Sequence, residues 1–159
     1  MKIGLISDTH GIWRPEISEI FRGVHQILHA GDVGRQEILE QLAEIAPVAA
    51  VRGNVDLSGE PSLLPSEVET ELAGVRLLMR HAGASAEAMP SDLKRLLAMR
   101  GIGVLVFGHS HQRYSRYLNG TLLFNPGAAG PRRVSQPLSV ATMEIEVGKI
   151  SWKFWELEE

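Results

Sequence analysis

The segment MKIGLISDTHGIWRPEISEIFRG, residues 1–23, decides how the rest of the chain reads. Lys2 to Ser7 is an apolar run of strand length, and it ends on side chains of another kind, Asp8 and His10. Pro15 to Arg22 then places Ile17, Ile20 and Phe21 at helical spacing before Gly23. The segment is therefore a buried strand, a polar loop and a helix.

The same unit recurs downstream. Val24 to His29 reads as a second strand, Gln36 to Ile45 as a helix presenting Ile38, Leu39, Leu42 and Ile45, and Val48 to Arg52 as a third strand. Alternation of this kind predicts an α/β layered architecture. After a loop from Leu57 to Pro65, Val75, Leu77 and Met79 alternate along a strand. Ser91 is placed to cap a helix carrying Leu93, Leu96 and Leu97 that stops at Gly101, and Val104 to Phe107 forms another apolar strand.

The last third changes character. Tyr114 to Phe124 holds Asn119-Gly120 between strand-like runs, a two-residue hairpin signal. A second hairpin is expected around Gly148-Lys149, between the alternating Ala141, Met143, Ile145, Val147 and the alternating Ile150, Trp152, Phe154. The sheets should thus be mixed. Trp152, Phe154 and Trp155 read as sheet-packing aromatics, with a contact in a homo-oligomer as the alternative. Glu156 to Glu159 reads as a solvated acidic end.

Composition narrows the chemistry. The 159 residues allow one well-buried core and are too few for two ordinary domains, so a single domain over 1–159 is expected. Sixteen Lys and Arg against nineteen Asp and Glu give a net charge of -3, without the basic excess that phosphate neutralisation by a nucleic-acid binder requires. The absence of cysteine excludes disulfides and thiolate metal sites. The N-terminal apolar stretch is too short for a signal peptide's core or a membrane span, which makes a cytoplasmic protein without membrane attachment the expectation. Gly127-Ala-Ala-Gly130 lacks the Lys-Ser/Thr of a phosphate-binding loop, and no G-x-G-x-x-G follows a strand.

The polar residues fall where sites are built. Asp8, Asp32, Asn54, His81 and His109 each stand at the end of an apolar strand, and His10 and His111 share the loops of Asp8 and His109. Brought to one edge, two carboxylates, an amide and four imidazoles form a metal-ligand inventory. Gly31, Gly53 and Gly108 directly precede Asp32, Asn54 and His109, where they let the backbone turn sharply or approach an ion. Turn chemistry would explain Asp8 or Asn54 singly; it does not explain four histidines at strand ends. His25 reads as a surface residue, and His29 either as a support for Asp32 or as a buried structural histidine.

The ordered blocks Asp8-x-His10, Gly31-Asp32, Gly53-Asn54-x-Asp56, His81-x-Gly83 and Gly108-His109-x-His111 resemble the calcineurin-like metallophosphoesterase superfamily, in particular its small YfcE-type phosphodiesterase branch. The resemblance runs from Met1 to about Phe154 with Asn125-Pro126-Gly127 included. It implies a four-layer α/β/β/α sandwich of two mixed sheets flanked by helices. It also implies one ion on Asp8, His10 and His111 and another on Asn54, His81 and His109, with Asp32 bridging.

Asp32, Asn54 and His81 are the candidates for direct catalytic work. Two cations about 3.5 to 4 Å apart can activate a bridging water for in-line attack on a phosphate ester. Nitrogen and oxygen donors suit Mn²⁺, Fe²⁺, Co²⁺, Ni²⁺ or Zn²⁺, with manganese the first choice. A small phosphate diester is the expected substrate, with a phosphomonoesterase or nuclease as alternatives. A protein-interaction scaffold is a further alternative, since a eukaryotic retromer subunit resembling this branch uses the fold chiefly for binding.

Two positions depart from the family pattern. Val55 stands where many members carry a histidine thought to protonate the leaving group, and Ala82 stands where glycine is usual, so its methyl group could crowd the backbone close to the second metal, which bears on the assignment of His81. Asp56 could orient Asn54 or a loop, or form an ordinary Asp turn. Asn125-Pro126-Gly127 is a turn by composition and shapes the site floor by resemblance. Arg132 and Arg133 are either a solvated pair or contacts to a substrate phosphate.

Overall fold

The computed structural model describes residues 1–133 and 135–159. In sheet A, β1 (Lys2–Ile6), β2 (Gln26–His29) and β3 (Val48–Ala50) run parallel. The antiparallel β9 (Ser139–Glu146) and β10 (Lys149–Glu156) complete the order β10-β9-β1-β2-β3. Sheet B has the order β4-β5-β6-β8-β7, from β4 (Glu67–Leu72), β5 (Val75–Arg80), β6 (Val104–Val106), β7 (Tyr114–Leu118) and β8 (Thr121–Asn125). Its central strands β5, β6 and β8 are parallel, and its edges β4 and β7 antiparallel. Both sheets are mixed, as the hairpin signals require.

Three apolar clusters define the layers. Ile3, Leu5 and Leu28 of sheet A meet Leu77, Met79, Val106 and Phe124 of sheet B in one core between the sheets. The alternate residues Ile6 and Ile27 face Ile17 and Phe21 around α1 (Glu16–Ile20), with Ile38 and Leu42 of α2 (Gln36–Ala43). On sheet B, Leu78, Leu105 and Leu123 face Leu93 and Leu97 of α3 (Ser91–Met99). Period-2 alternation on each strand thus feeds two cores and produces the α/β/β/α order. No helix among the described residues is long and apolar enough to cross a membrane.

Several expectations are corrected. Strand β4 lies in a stretch that carried no strand reading: Glu67, Glu69 and Glu71 line its outer face, so it buries little, and it turns into β5 through Ala73-Gly74, both left-handed. The Leu57–Pro65 loop contains a 3-10 turn, Glu60–Leu63. Ser91 is the first residue of α3 and makes no cap, the N-cap position being Pro90. The acidic end is docked: Leu157 is buried and its N–H donates to Leu138 O, the Glu158 carbonyl accepts from Arg14 Nη1 at 2.7 Å, and Glu159 pairs with Arg132 at 2.8 Å. Tertiary partners far away in sequence hold this tail against its charge.

Trp152 and Phe154 pack on the core between the sheets, Phe154 stacking on Phe124 at 5.1 Å, while Trp155 faces the α1–α2 side and donates its indole N–H to Thr142 Oγ1. The second hairpin turns at Val147-Gly148, one residue earlier than expected, with φ 42° and 77°. A β-branched residue in the left-handed region is strained, and the Val147 side chain is fully exposed, so it recovers nothing by burial. Val147→Asn is expected to stabilise the fold by about 1 kcal/mol and raise Tm by roughly 2–4 °C. A melting curve with unchanged or lower Tm would refute this.

Candidate metal centre

The C-terminal ends of β1, β2, β3, β5 and β6 meet at one end of the sandwich and bring all seven candidate donors together. Asp8 Oδ1 lies 3.3 Å from His111 Nε2 and 3.9 Å from His10 Nε2, and the two imidazole nitrogens are 3.4 Å apart. On the other side Asn54 Oδ1 is 3.0 Å from both His81 Nε2 and His109 Nδ1, and His81 Nε2 is 3.2 Å from Asp32 Oδ2. Asp32 Oδ2 also stands 3.7 Å from His10 Nε2, so it lies between the two groups. Asp8 Oδ1 reaches across as well, 3.9 Å from His81 Nε2.

These distances fit cation binding. Donors at about 2.0–2.2 Å from one ion stand roughly 3.0–3.5 Å apart, near the closest separations seen here. Asp8 Oδ1 is buried without a hydrogen-bond partner among the described residues, a costly placement for a carboxylate oxygen unless a cation accompanies it. The other Asp8 oxygen, Oδ2, accepts from the Ser7 hydroxyl at 2.7 Å and the His109 N–H at 3.1 Å, which leaves Oδ1 aimed at the histidines. The donor set is nitrogen and oxygen throughout, suited to borderline divalent ions.

The backbone is bent to make this possible. Asp8, His10, Asp32, His109 and His111 all have φ between 47° and 71°, a region that non-glycine residues enter rarely and that collects at functional sites. The expectation that the preceding glycines take the unusual angles therefore holds for Gly31 alone of the three. Gly53 and Gly108 are needed for close approach instead: a Cβ on Gly53 would stand 2.0 Å from Asp32 Oδ1, and one on Gly108 2.0 Å from Ser7 Oγ.

Ala82 directs its methyl group to solvent. His81 Nδ1 donates to Ala30 O at 2.7 Å, which fixes the tautomer and turns Nε2 toward Asp32 and Asn54. Burial would lower the His81 pKa, but the hydrogen bond to Asp32, the Ala30 carbonyl and the charges of Asp8 and Asp32 outweigh it and raise the pKa. Burial raises Asp8 and Asp32; the nearby His111 imidazole and the Ser7 hydroxyl bond at Asp8, and the nearby His81 imidazole and the Val55 N–H at Asp32, hold both below the ordinary carboxylate value. His10 is lowered by burial, against the pull of Asp32.

A frame of buried polar residues carries the donors. Asp56 accepts from Val33 N–H (3.1 Å), Gly34 N–H (3.0 Å) and Gly53 N–H (2.9 Å), joining the loop after Asp32 to the turn before Asn54. Its carboxylate thus orders loops. Asn125 donates to Gly108 O and Ser110 Oγ and accepts from Gly127 N–H, so the Asn125-Pro126-Gly127 element supports the turn that carries His109. Arg132 is tied to Glu159 and to Ser135 O, while the charge of Arg133 is felt at His10. His25 is exposed, as expected.

His29 holds the loops: its ring nitrogens meet Gly31 and Thr9, and not the Asp32 carboxylate. Its Nδ1 accepts from Gly31 N–H at 3.1 Å, which places the proton on Nε2, 2.9 Å from Thr9 Oγ1, and the Thr9 hydroxyl donates to Val33 O. Ser7 and Thr9 were not singled out in the sequence; their only signal is a pair of hydroxyl residues flanking Asp8 at the end of a buried strand. Complete burial lowers the His29 pKa to about 4. Between that value and the unfolded value near 6.5 the unfolded chain binds the extra proton. Stability associated with His29 is therefore full above about pH 6.5 and falls by about 3 kcal/mol as pH drops toward 4. Urea unfolding at stepped pH should show a shallower fall over this window in His29→Gln than in the parent, and equal slopes would refute it.

An Asp, Asn and His cluster of this geometry at the strand ends of an α/β sandwich makes a candidate metal site. A model of the calcineurin-like phosphoesterase superfamily domain matches residues 1–148, and the chain belongs to that superfamily. It is 36% identical over 155 residues, covering 94% of this chain and 89% of the relative, to a probable metallophosphoesterase of Methanothermobacter thermautotrophicus. A protein of Methanocaldococcus jannaschii named a phosphodiesterase is 26% identical over 144 residues, covering 80% of this chain and 83% of its own. Vps29 of Entamoeba histolytica, solved in complex with zinc, shares the fold with a TM-score of 0.75 at 18% identity, covering 98% of this chain and 99% of that one.

Proposed function

We propose that the chain is a divalent-metal-dependent phosphodiesterase acting on a small phosphate diester, with two ions, manganese first among them. The observation that carries this reading is the pair of donor groups that meet at Asp32: Asp8, His10 and His111 on one side, Asn54, His81 and His109 on the other. A bound pair of divalent cations would supply an activated water and neutralise charge on the phosphoryl group. The name of the Methanocaldococcus relative supports the diester assignment.

The chain's own residues set the approach. The Asp8, His10 and His111 side is closed in, whereas Asn54 and His109 are exposed, so a phosphate ester arrives from the Asn54–His109 side. Val55 gives its backbone N–H to Asp32 Oδ1 at 3.0 Å and holds that carboxylate in place. Its side chain has no proton to give a departing alkoxide, so diesters of acidic alcohols are the substrates expected to turn over fastest.

The test is hydrolysis of bis(p-nitrophenyl) phosphate and p-nitrophenyl phosphate by metal-stripped protein, with each divalent metal restored in turn. Metal-dependent turnover of the diester above that of the monoester is expected. Turnover of neither compound with metal demonstrably bound would favour a binding scaffold, a reading that the fold shared with Vps29 makes concrete. Failure to bind metal would overturn the assignment of the donors.

A further inference from the structure

The exposed face of the metal centre continues into a cleft of about 270 Å³ beside His109, enclosed by Ser85, Phe107, Ser110, Gln112 and Tyr114. It is the loop between β5 and α3 that forms one wall and the turn from β6 to β7 that forms the other. Tyr114 holds the two together, its hydroxyl oxygen accepting from Ala86 N–H at 2.8 Å while its ring leans on Phe107, with centroids 6.3 Å apart.

We infer that this cleft is the subsite for one ester group of the diester, and that it selects an uncharged, ring-bearing alcohol. The inference rests on the phosphodiesterase reading above and names what that reading leaves open. Three observations carry it. The cleft shares the exposed His109 with the metal centre, so it adjoins the place where a phosphate would be held. Apart from His109 its described lining holds no ionisable acid or base of the Asp, Glu, Lys or Arg kind, so a charged group would enter without a counter-ion. The aromatic wall of Phe107 and Tyr114 gives a ring a face or edge to pack on.

Polar atoms at the rim refine the class. Ser110 Oγ accepts from Asn125 Nδ2 at 3.1 Å and from Gln112 N–H at 3.3 Å, and Tyr114 Oη accepts from Ala86, so both hydroxyls keep their own hydrogen to donate. With the Gln112 amide they suit a ring that carries hydrogen-bond acceptors. At about 270 Å³ the cleft is smaller than the roughly 300–1,000 Å³ of sites that enclose a drug-sized ligand. It has room for one ring and its linker.

The experiment is calorimetric titration of metal-loaded protein with two slow-reacting symmetrical diesters, diphenyl phosphate and dimethyl phosphate. Diphenyl phosphate should bind roughly tenfold more tightly. Ser85→Trp, which fills the cleft, should abolish that difference while leaving dimethyl phosphate unaffected. Gln112→Ala, an exposed position, provides a second variant and should weaken the binding of a pyridyl diester, whose ring offers an acceptor, more than that of diphenyl phosphate; melting curves confirm that both variants fold. Equal affinities for the two diesters in the parent protein, or a ring preference that survives Ser85→Trp in a folded variant, would overturn the subsite. Either result in a protein that hydrolyses bis(p-nitrophenyl) phosphate would leave the phosphodiesterase reading standing, whereas absent hydrolysis with metal bound would remove both.

Discussion

Asp32→Ala is expected to reduce metal-dependent diester turnover by roughly a thousandfold or more and to weaken metal binding in parallel. The carboxylate occupies the seam between the two donor groups, 3.2 Å from His81 Nε2 and 3.7 Å from His10 Nε2, and no other described side chain approaches both nitrogens so closely through one oxygen. Its second oxygen is held by the Val55 N–H. Alanine removes a negative charge that His81 and His10 both face, so the pocket becomes more positive and less hospitable to a cation. Asp32→Asn separates charge from shape, because an amide oxygen can keep the Val55 hydrogen bond but carries no charge. Both variants should lose activity, with Asn retaining more of the fold's stability. Calorimetric metal titration alongside turnover checks the outcome; full activity in either folded variant would remove Asp32 from the centre.

The second large effect is on stability. Asp56→Ala should cost about 4 kcal/mol and lower Tm by roughly 10 °C, because it leaves three N–H groups, those of Val33, Gly34 and Gly53, without their acceptor. Asp56 is buried, so water does not readily replace the carboxylate. Asp56→Asn keeps one oxygen and turns an NH₂ donor toward N–H donors, for an intermediate loss of about 2 kcal/mol. These N–H groups flank Asp32 and Asn54 in the chain, so metal affinity should fall too, although Asp56 is not among the seven candidate donors. Chemical unfolding of the stripped protein gives the stability term free of metal, and a loss below 1 kcal/mol for alanine would refute the account.

The sequence carried the gathering of the seven candidate donors because each ends an apolar strand, and alternation along those strands marks which ends meet. It carried the β7–β8 hairpin because Asn119 and Gly120 both take left-handed angles, as a two-residue turn of that type demands. Strand β4 escaped because the alternation of Glu67, Glu69 and Glu71 with Val68 and Thr70 offers little apolar signal on a half-exposed edge. The docked tail escaped because Arg14 and Leu138, which hold it, are remote in sequence. That Asp8, His10, Asp32, His109 and His111 are themselves left-handed has only a weak signal in residue type, Asp and His entering that region more often than other non-glycine residues.

Four of the seven donors, Asp8, His10, Asp32 and Asn54, follow strands of sheet A, and three, His81, His109 and His111, follow strands of sheet B. An ion shared across that divide would be a cross-link between the two halves of the sandwich, made and unmade by mass action. It would add stability that grows with the free ion, about 2.7 kcal/mol at a hundredfold excess over Kd. The margin of stability would then respond to the ionic composition of the surroundings, and metal starvation would lower it together with catalysis.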